Sequence, residues 1–294
     1  MKKRGFTLAE MLVALGVLSI LIMVLSQIFT TTSKVTLVLS KHLDADSQAR
    51  LALDRISYDI SQMIQRPDVD YYFPAAASDN GNDQMYFFSE SSGYYPATGL
   101  TPAEPSGIST TSKLDPRSTV SLIGYRINTD TNQLERLSKG LVWSGVSGGS
   151  SLVYLPQTIL GIWPSLATDK DYQVISDGIF RLQIQYLVQN ATIASKISNV
   201  PNLQGILPGN TGYYNPREVK AIVISIAILD PSTQKTIPAG SLSIAANNLP
   251  SATAPALPLA TWRSRQANLG IPEHASSHVR FYQRFCYLNP ATAR

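Results

Sequence analysis

The sequence predicts an α+β protein: one long N-terminal helix followed by a head built on antiparallel β-sheet. Three observations predict it. Residues Met11 to Phe29 contain no charged side chain. Apolar residues at three- and four-residue spacing then continue from Leu53 to Ile64. Beyond them come five or six β-rich segments with no helical periods between them, an order that favours antiparallel pairing. The composition fits a chain with a real core, since 44% of its 294 residues are hydrophobic and 15% are charged. Lys and Arg number 24 against 20 Asp and Glu. Three of those cations, Lys2, Lys3 and Arg4, stand together at the N-terminus, so the remainder is close to neutral. No basic face is expected, and therefore no nucleic-acid partner. A single cysteine, Cys286, excludes an internal disulfide and a cysteine-based zinc cage.

The first element is the apolar run. Nineteen residues in helical geometry rise about 28 Å, close to the hydrocarbon thickness of a bilayer. Backbone polar groups in hydrocarbon must pair within the segment, so the run is expected to be helical. The cations before it, with no comparable cluster just after it, place the N-terminus in the cytoplasm and the bulk outside. Two features set the run apart from a cleaved signal peptide. It is longer than the usual 7–15 apolar residues, and Ser26-Gln27-Ile28-Phe29 offers no small-x-small cleavage site. A plain signal anchor fits the length but does not account for Glu10, a carboxylate at the start of an apolar segment.

Those residues carry a resemblance. Lys3-Arg4-Gly5-Phe6-Thr7-Leu8-Ala9-Glu10 followed by an apolar helix resembles the N-terminus of type IV prepilins and pseudopilins. The resemblance implies a five-residue leader (1–5), cut by a membrane prepilin peptidase between Gly5 and Phe6, and N-methylation of Phe6. It implies that Glu10 serves assembly, pairing with the new terminal amine of a neighbouring subunit and setting the axial stagger. A charge pair of that kind offsets the desolvation that either group alone would suffer. Gly5 leaves the backbone bare for a protease. No proline lies between Phe6 and Gln65, which leans towards a straighter helix and a minor, pseudopilin-type subunit.

Residues 6–29 are thus read as a transmembrane helix and 30–66 as an amphipathic stalk helix, together about 90 Å if continuous. The stalk's apolar positions are Leu39, Leu43, Leu53, Ile56, Ile60, Met63 and Ile64. Its polar face carries Asp44, Asp46, Arg50, Asp54, Arg55, Asp59 and Gln62. Pro67 is expected to end it.

Residues 67–294 are read as a periplasmic, pilin-like head. Strands are expected at Gln84–Phe88, Thr119–Ile127 and Gln133–Leu137, the last two joined by a turn at Asn128–Asn132. Ile179–Gln189 alternates Phe180, Leu182, Ile184 and Tyr186 with Arg181, Gln183 and Gln185, a strand with one buried face. Val219–Leu229 is almost wholly apolar and reads as a central strand. His278–Leu288 alternates Val279, Phe281, Phe285 and Tyr287 with Arg280, Tyr282 and Arg284. Between them, 231–258 holds five prolines and is read as a loop insertion, with a short helix at Trp262–Asn268.

Within the head, Gly124-Tyr125-Arg126-Ile127 and Leu134-Glu135-Arg136-Leu137 resemble the paired strands of the minor pseudopilins of type II secretion, those of the J type. Ile175–Ile179 and Asn215-Pro216-Arg217-Glu218-Val219-Lys220 match that pattern loosely. A Verru–Chthon cassette protein is a variant of the same reading. The resemblance implies a hetero-oligomer with other pseudopilins or pilins in the bacterial inner membrane, passing into an envelope filament.

No nucleophile elbow, Walker loop, Rossmann fingerprint, zincin motif or EF-hand loop occurs in the sequence. A non-catalytic subunit without cofactor or metal is therefore expected. Glu273, His274 and His278 could share a helical face, but Pro272 and the following strand argue against that geometry. Asp79-Asn80-Gly81-Asn82-Asp83 is calcium-like in composition and turn-like in spacing. Tyr71-Tyr72-Phe73, Tyr94-Tyr95 and Tyr213-Tyr214 suit either a partner contact or a sheet edge. Cys286 is expected to be a buried small hydrophobe. The competing class is a ligand-binding or enzymatic envelope domain on a simple signal anchor.

Overall fold

The structure, a computed structural model, describes residues 7–64, 71–72, 81–91, 93–94, 117–118, 121–128, 130–140, 171–189, 195–198, 202–203 and 219–288. In chain order the elements are helix α1 (Leu8–Ser61), then strands β1 (Tyr71–Tyr72), β2 (Met85–Ser89), β3 (Gly93–Tyr94), β4 (Arg117–Ser118), β5 (Ser121–Asn128), β6 (Gln133–Gly140), β7 (Tyr172–Ser176), β8 (Ile179–Val188), β9 (Lys196–Ser198), β10 (Asn202–Leu203) and β11 (Val219–Ile228). Helices α2 (Pro231–Gln234), α3 (Ser241–Asn248), α4 (Pro258–Arg265) and α5 (Glu273–Ser276) follow, and strand β12 (Arg280–Tyr287) closes the order. This is the α+β arrangement expected: a long N-terminal helix followed by antiparallel sheets.

The chain divides after Asp44 into two compact units. The first is the N-terminal part of α1. From Thr7 to Ser40 every side chain is exposed, including Leu12, Ile20, Met23 and Phe29. α1 is long and apolar enough to cross a membrane.

The second unit holds two sheets. The larger has the order β10-β1-β2-β5-β6-β3-β4, with β7 also pairing β6. Its described pairs are antiparallel except β3–β6. The smaller sheet has the order β12-β11-β8-β9, wholly antiparallel. The last turns of α1 cover one face of both. Ala45, Ala49, Ala52, Leu53, Ile56 and Ile60 enter one core with Phe87, Ile123 and Ile127 of the larger sheet and with Ile184, Ile222, Ile224 and Ile226 of the smaller.

Of the ridge the sequence predicts, Leu53, Ile56, Ile60 and Met63 are buried, while Leu39 and Leu43 are exposed; Ala45, Ala49 and Ala52, at four- and three-residue spacing, extend the contact instead. A methyl group lets the helix axis come closer to the sheets than leucine would, so Ala45, Ala49 and Ala52 line the contact together with Leu53, Ile56 and Ile60. The polar face also divides: Asp59 is fully buried, Asp46 receives the Tyr282 hydroxyl and Asp54 pairs with Arg284.

The helix stops at Ser61, before the position that Pro67 predicts. The main chain is drawn into sheet pairing there: Met63 bridges Ser89, the Ile64 amide donates to the Phe88 carbonyl at 2.9 Å, and Glu90 N–H donates to the Gln62 carbonyl at 2.9 Å. Backbone groups that gain strand partners no longer need helical ones.

The segment 231–258, expected to be a loop insertion, is a helical cap. Two of its prolines begin helices. Pro231 opens α2 behind the N-cap Asp230, whose carboxylate accepts the Thr233 amide at 2.9 Å, and Pro258 opens α4. Proline fits a first helical turn because its missing N–H has no partner there in any helix. The cap forms a second core, with Leu242, Ala245, Ala246, Leu249 and Trp262 over Phe180, Ala227 and Phe281. The Trp262 indole donates to the Pro250 carbonyl at 3.0 Å.

This cap corrects two strand readings. β8 is buried on both faces rather than one, with Arg181, Gln183 and Gln185 almost inaccessible. The Gln183 amide donates to the Ala252 carbonyl at 2.9 Å and accepts the Ala252 N–H at 3.0 Å, and Gln185 donates to Ala256 at 3.0 Å. Gln183 thus supplies both a donor and an acceptor, and Gln185 a donor, to a strap of irregular backbone. On β12 only part of the expected apolar face is covered. Phe281 lies under the cap, while Phe285 is 37% and Tyr287 69% exposed.

Candidate functional site

Chemistry at the N-terminus begins with Glu10. Thr7 precedes the first helical residue, and its amide and hydroxyl both donate to Glu10 Oε2 at 2.9 Å. The Glu10 amide returns a bond to Thr7 Oγ1 at 3.3 Å. This is a capping box, in which an N-cap Thr and a Glu three residues later satisfy amide groups that the helix leaves unpaired. The sequence holds that signature as Thr7-x-x-Glu10. Glu10 is exposed, and Thr7 is its recorded partner. Lys2, Lys3, Arg4, Gly5 and Phe6 lie outside the described residues.

The apolar helix carries hydroxyls as well. Ser19 donates to the Gly16 carbonyl at 2.8 Å, Thr31 to Gln27 at 2.8 Å and Thr36 to Thr32 at 2.9 Å. Thr30 shares its hydroxyl between Ser26 and Gln27. Each of these four hydroxyl protons therefore has a partner inside the helix, which is what a polar group needs in an apolar medium.

The helix's other chemical feature is a buried anion. Asp59 accepts from Tyr125 Oη at 2.5 Å, from Arg136 Nε at 2.6 Å and from Arg136 Nη2 at 3.1 Å. Arg55 lies at 3.6 Å. Tyr125 and Arg136 are register partners on β5 and β6, so the two strands present both donors side by side. Burial, reinforced by the Asp59 charge, pushes the Tyr125 phenol well above its usual range. Burial would lower Arg136, but its bonds to Asp59 and Tyr125 outweigh that and hold the guanidinium above its ordinary value. On the opposite face the neighbouring register pair is reversed in order: Arg126 donates to Glu135 at 2.9 Å and stacks 3.8 Å over the Tyr172 ring. Gly124 leaves room for Tyr86, whose ring carbons would lie 2.6 Å from a Cβ placed there. The two short motifs of the sequence thus hold the helix on one side of the sheet and an aromatic–cation stack on the other.

A second polar node joins the sheets at the open edge of β8. Asn82 Oδ1 accepts the Leu182 amide at 2.8 Å and Asp83 Oδ2 accepts the Ile184 amide at 2.7 Å. Arg181 reaches the Gly81 carbonyl, the Leu249 carbonyl and Ser251 Oγ. Burial raises the Asp83 carboxyl to about 6, against the lowering effects of the Ile184 amide and Arg181. Burial likewise lowers Arg181 to about 10. Asn82 and Asp83 of the calcium-like stretch therefore serve the β8 backbone, while Asp79 and Asn80 lie outside the described residues.

The histidine pair does not share a helical face, in keeping with Pro272 before it and the strand after it. Glu273 and His274 do lie on a helix, the single turn α5, but His278 lies beyond it with Nδ1 3.9 Å from Asp230. Among the described residues no group of three or more His, Cys, Asp or Glu side chains could hold a metal ion. Cys286 is buried, and that burial raises its thiol above the usual range. Of the aromatic pairs, Tyr71 and Tyr72 form β1 and Tyr94 ends β3; Phe73, Tyr95, Tyr213 and Tyr214 lie outside the described residues.

Comparison with known proteins bears on the first of these features. Residues 1–26 match the family model described as the prokaryotic N-terminal methylation motif. The chain carries an N-terminal methylation motif. The matched residues take in Lys2 to Phe6, the Thr7–Glu10 capping box and most of the apolar run. No curated protein matches the chain. A type IV-like pilin from Thermus thermophilus aligns at 9% identity and a TM-score of 0.33, covering 85% of this chain and 98% of that one. A score that low has no weight for function.

Proposed function

We propose that the chain is a pilin-like subunit, made as a single-pass precursor and assembled through its N-terminal helix with other pilins or pseudopilins. The observation that carries this reading is the methylation motif joined directly to a helix whose side chains are exposed from Thr7 to Ser40. Such a surface is costly in water at about 25 cal/mol per Å² of apolar area. A bilayer, or a bundle of sister helices, removes that cost. Lys2, Lys3 and Arg4 hold the N-terminus on the cytoplasmic side of the inner membrane, and the residues after the span form a periplasmic head. Prepilin peptidase removes residues 1–5 and methylates Phe6. Glu10 then meets the ammonium of an adjoining subunit and sets the stagger. The subunit has no catalytic role.

Within that class the absence of proline from the helix and the Tyr125/Arg136 pair favour a minor pseudopilin of a type II or related secretion filament. Terminal sequencing of protein purified from envelopes tests the reading. N-methylated Phe6 is expected as the first residue, and Gly5→Leu should leave an uncut precursor. A mature chain that still begins Met-Lys refutes it.

A further inference from the structure

We infer that a single internal water is bound beneath the cap, held between Ser225 of β11 and Gln283 of β12. The site begins with two atoms. Ser225 Oγ and Gln283 Nε2 are both buried, and neither makes a hydrogen bond to a described residue. Ser225 as a whole is 1% exposed. Leaving a hydroxyl and an amide out of water without partners is costly, and buried polar atoms as a rule find one.

The ladder brings the two atoms together. Ser225 and Gln283 are register partners. The Leu288 amide donates to the Lys220 carbonyl at 2.9 Å, so the even-numbered residues of β11 make the main-chain bonds to β12. Ser225 and Gln283 form one of the intervening pairs, in which facing side chains come closest, with Cβ atoms about 5 Å apart. Two residues along, the pair Ala227 and Phe281 belongs to the cap core. Ser225 and Gln283 therefore project to the same side, under the cap.

The surroundings leave both room and need for a small partner. Across β11 the register partner of Ser225 is Gln183, and both ends of its amide are turned to Ala252, as donor at 2.9 Å and as acceptor at 3.0 Å. Ser225 and Ala227 are short, and they stand between Gln183 and Arg181 of β8 and Gln283 and Phe281 of β12. Short side chains between two columns of long ones leave a trough along β11. Its occupant must accept a proton from the Gln283 amide and share a bond with a hydroxyl that both gives and takes. It must also be uncharged, since the Arg181 guanidinium is committed to Gly81, Leu249 and Ser251. Water meets each demand, and two polar partners suffice to hold it. There it bridges β11 and β12 at a pair that has no main-chain bond of its own.

The test uses the full chain in detergent micelles. Nuclear Overhauser spectra with isotope-labelled glutamine side chains should show contact between the Gln283 amide protons and water. Opposite signs in the laboratory and rotating frames mark a bound water rather than proton exchange. Ser225→Val fills the trough and removes the hydroxyl, and Gln283→Leu removes the amide. With circular dichroism unchanged, each should lower by one the number of long-lived waters counted by oxygen relaxation dispersion. An absence of water contact at the Gln283 amide, or an unchanged count in Ser225→Val, would overturn the proposal. Should a variant fail to fold, the contact in the unaltered chain decides alone.

Discussion

Asp59 gives the sharpest test of how the helix is held. Its carboxylate is fully buried and receives three charge-assisted hydrogen bonds, one from Tyr125 and two from Arg136. Arg136 has only 10% of its side chain exposed, so Asp59→Ala leaves a guanidinium with little water to replace its partner. Removing one member of a buried pair costs about 3–5 kcal/mol. Tyr125→Phe removes a single bond to a charged group and should cost about 1.5–3 kcal/mol. The double variant Asp59→Ala/Tyr125→Phe should cost less than the two singles together, because both remove the same bond. Urea denaturation of the full chain in micelles, followed by tyrosine and tryptophan fluorescence, measures all three. A loss below about 1 kcal/mol for Asp59→Ala, or strict additivity in the double variant, would refute the claim that this cluster anchors the helix.

Three further outcomes follow from the same geometry. The Asp83 carboxyl, raised to about 6 in the fold, binds more protons folded than unfolded, so its contribution to stability falls as pH rises from about 4 to 6. The difference amounts to about 3 kcal/mol at most; Asp83→Asn, which keeps an acceptor for Ile184, should remove that slope in urea midpoints compared at pH 4 and pH 7, and an unchanged slope would contradict it. Glu10→Gln keeps the capping box but not the charge, so circular dichroism should show intact helix while crosslinking to sister subunits is lost; normal crosslinking would leave Glu10 with its cap role alone. Trp262→Ala empties the middle of the cap core and should cost about 3–5 kcal/mol, read as a lower thermal midpoint.

The long helix and its motif were legible because they rest on local signals: an uncharged run, Gly-Phe-Thr-Leu-x-Glu, and the absence of proline. The strands were legible too, since β5, β6, β8 and β11 alternate or run apolar within a few residues of the expected bounds. What could not be read is what covers each face. Arg181, Gln183 and Gln185 look solvated in sequence, because polarity on a strand ordinarily marks the wet side. They are buried because a cap distant in sequence supplies backbone partners for them. The prolines of 231–258 look like breakers, and only the residues around them show two of them to be helix starts. Asp59 falls on the polar side of the helical wheel, and nothing local distinguishes it from the exposed Asp44. Its partners lie 66 and 77 residues further on. The capping box was present in the letters but was outweighed by the assembly role that the same glutamate suggests.

The hydroxyls folded back onto α1 bear on how easily the subunit changes surroundings. With the Ser19 hydroxyl turned inward, the stretch from Met11 to Leu25 offers a neighbour an almost wholly hydrocarbon-like surface. If the chain assembles as proposed, transfer of that stretch from lipid to companion helices would exchange one oily contact for another, and the polar part of withdrawal and return would rest on the acid at the tip.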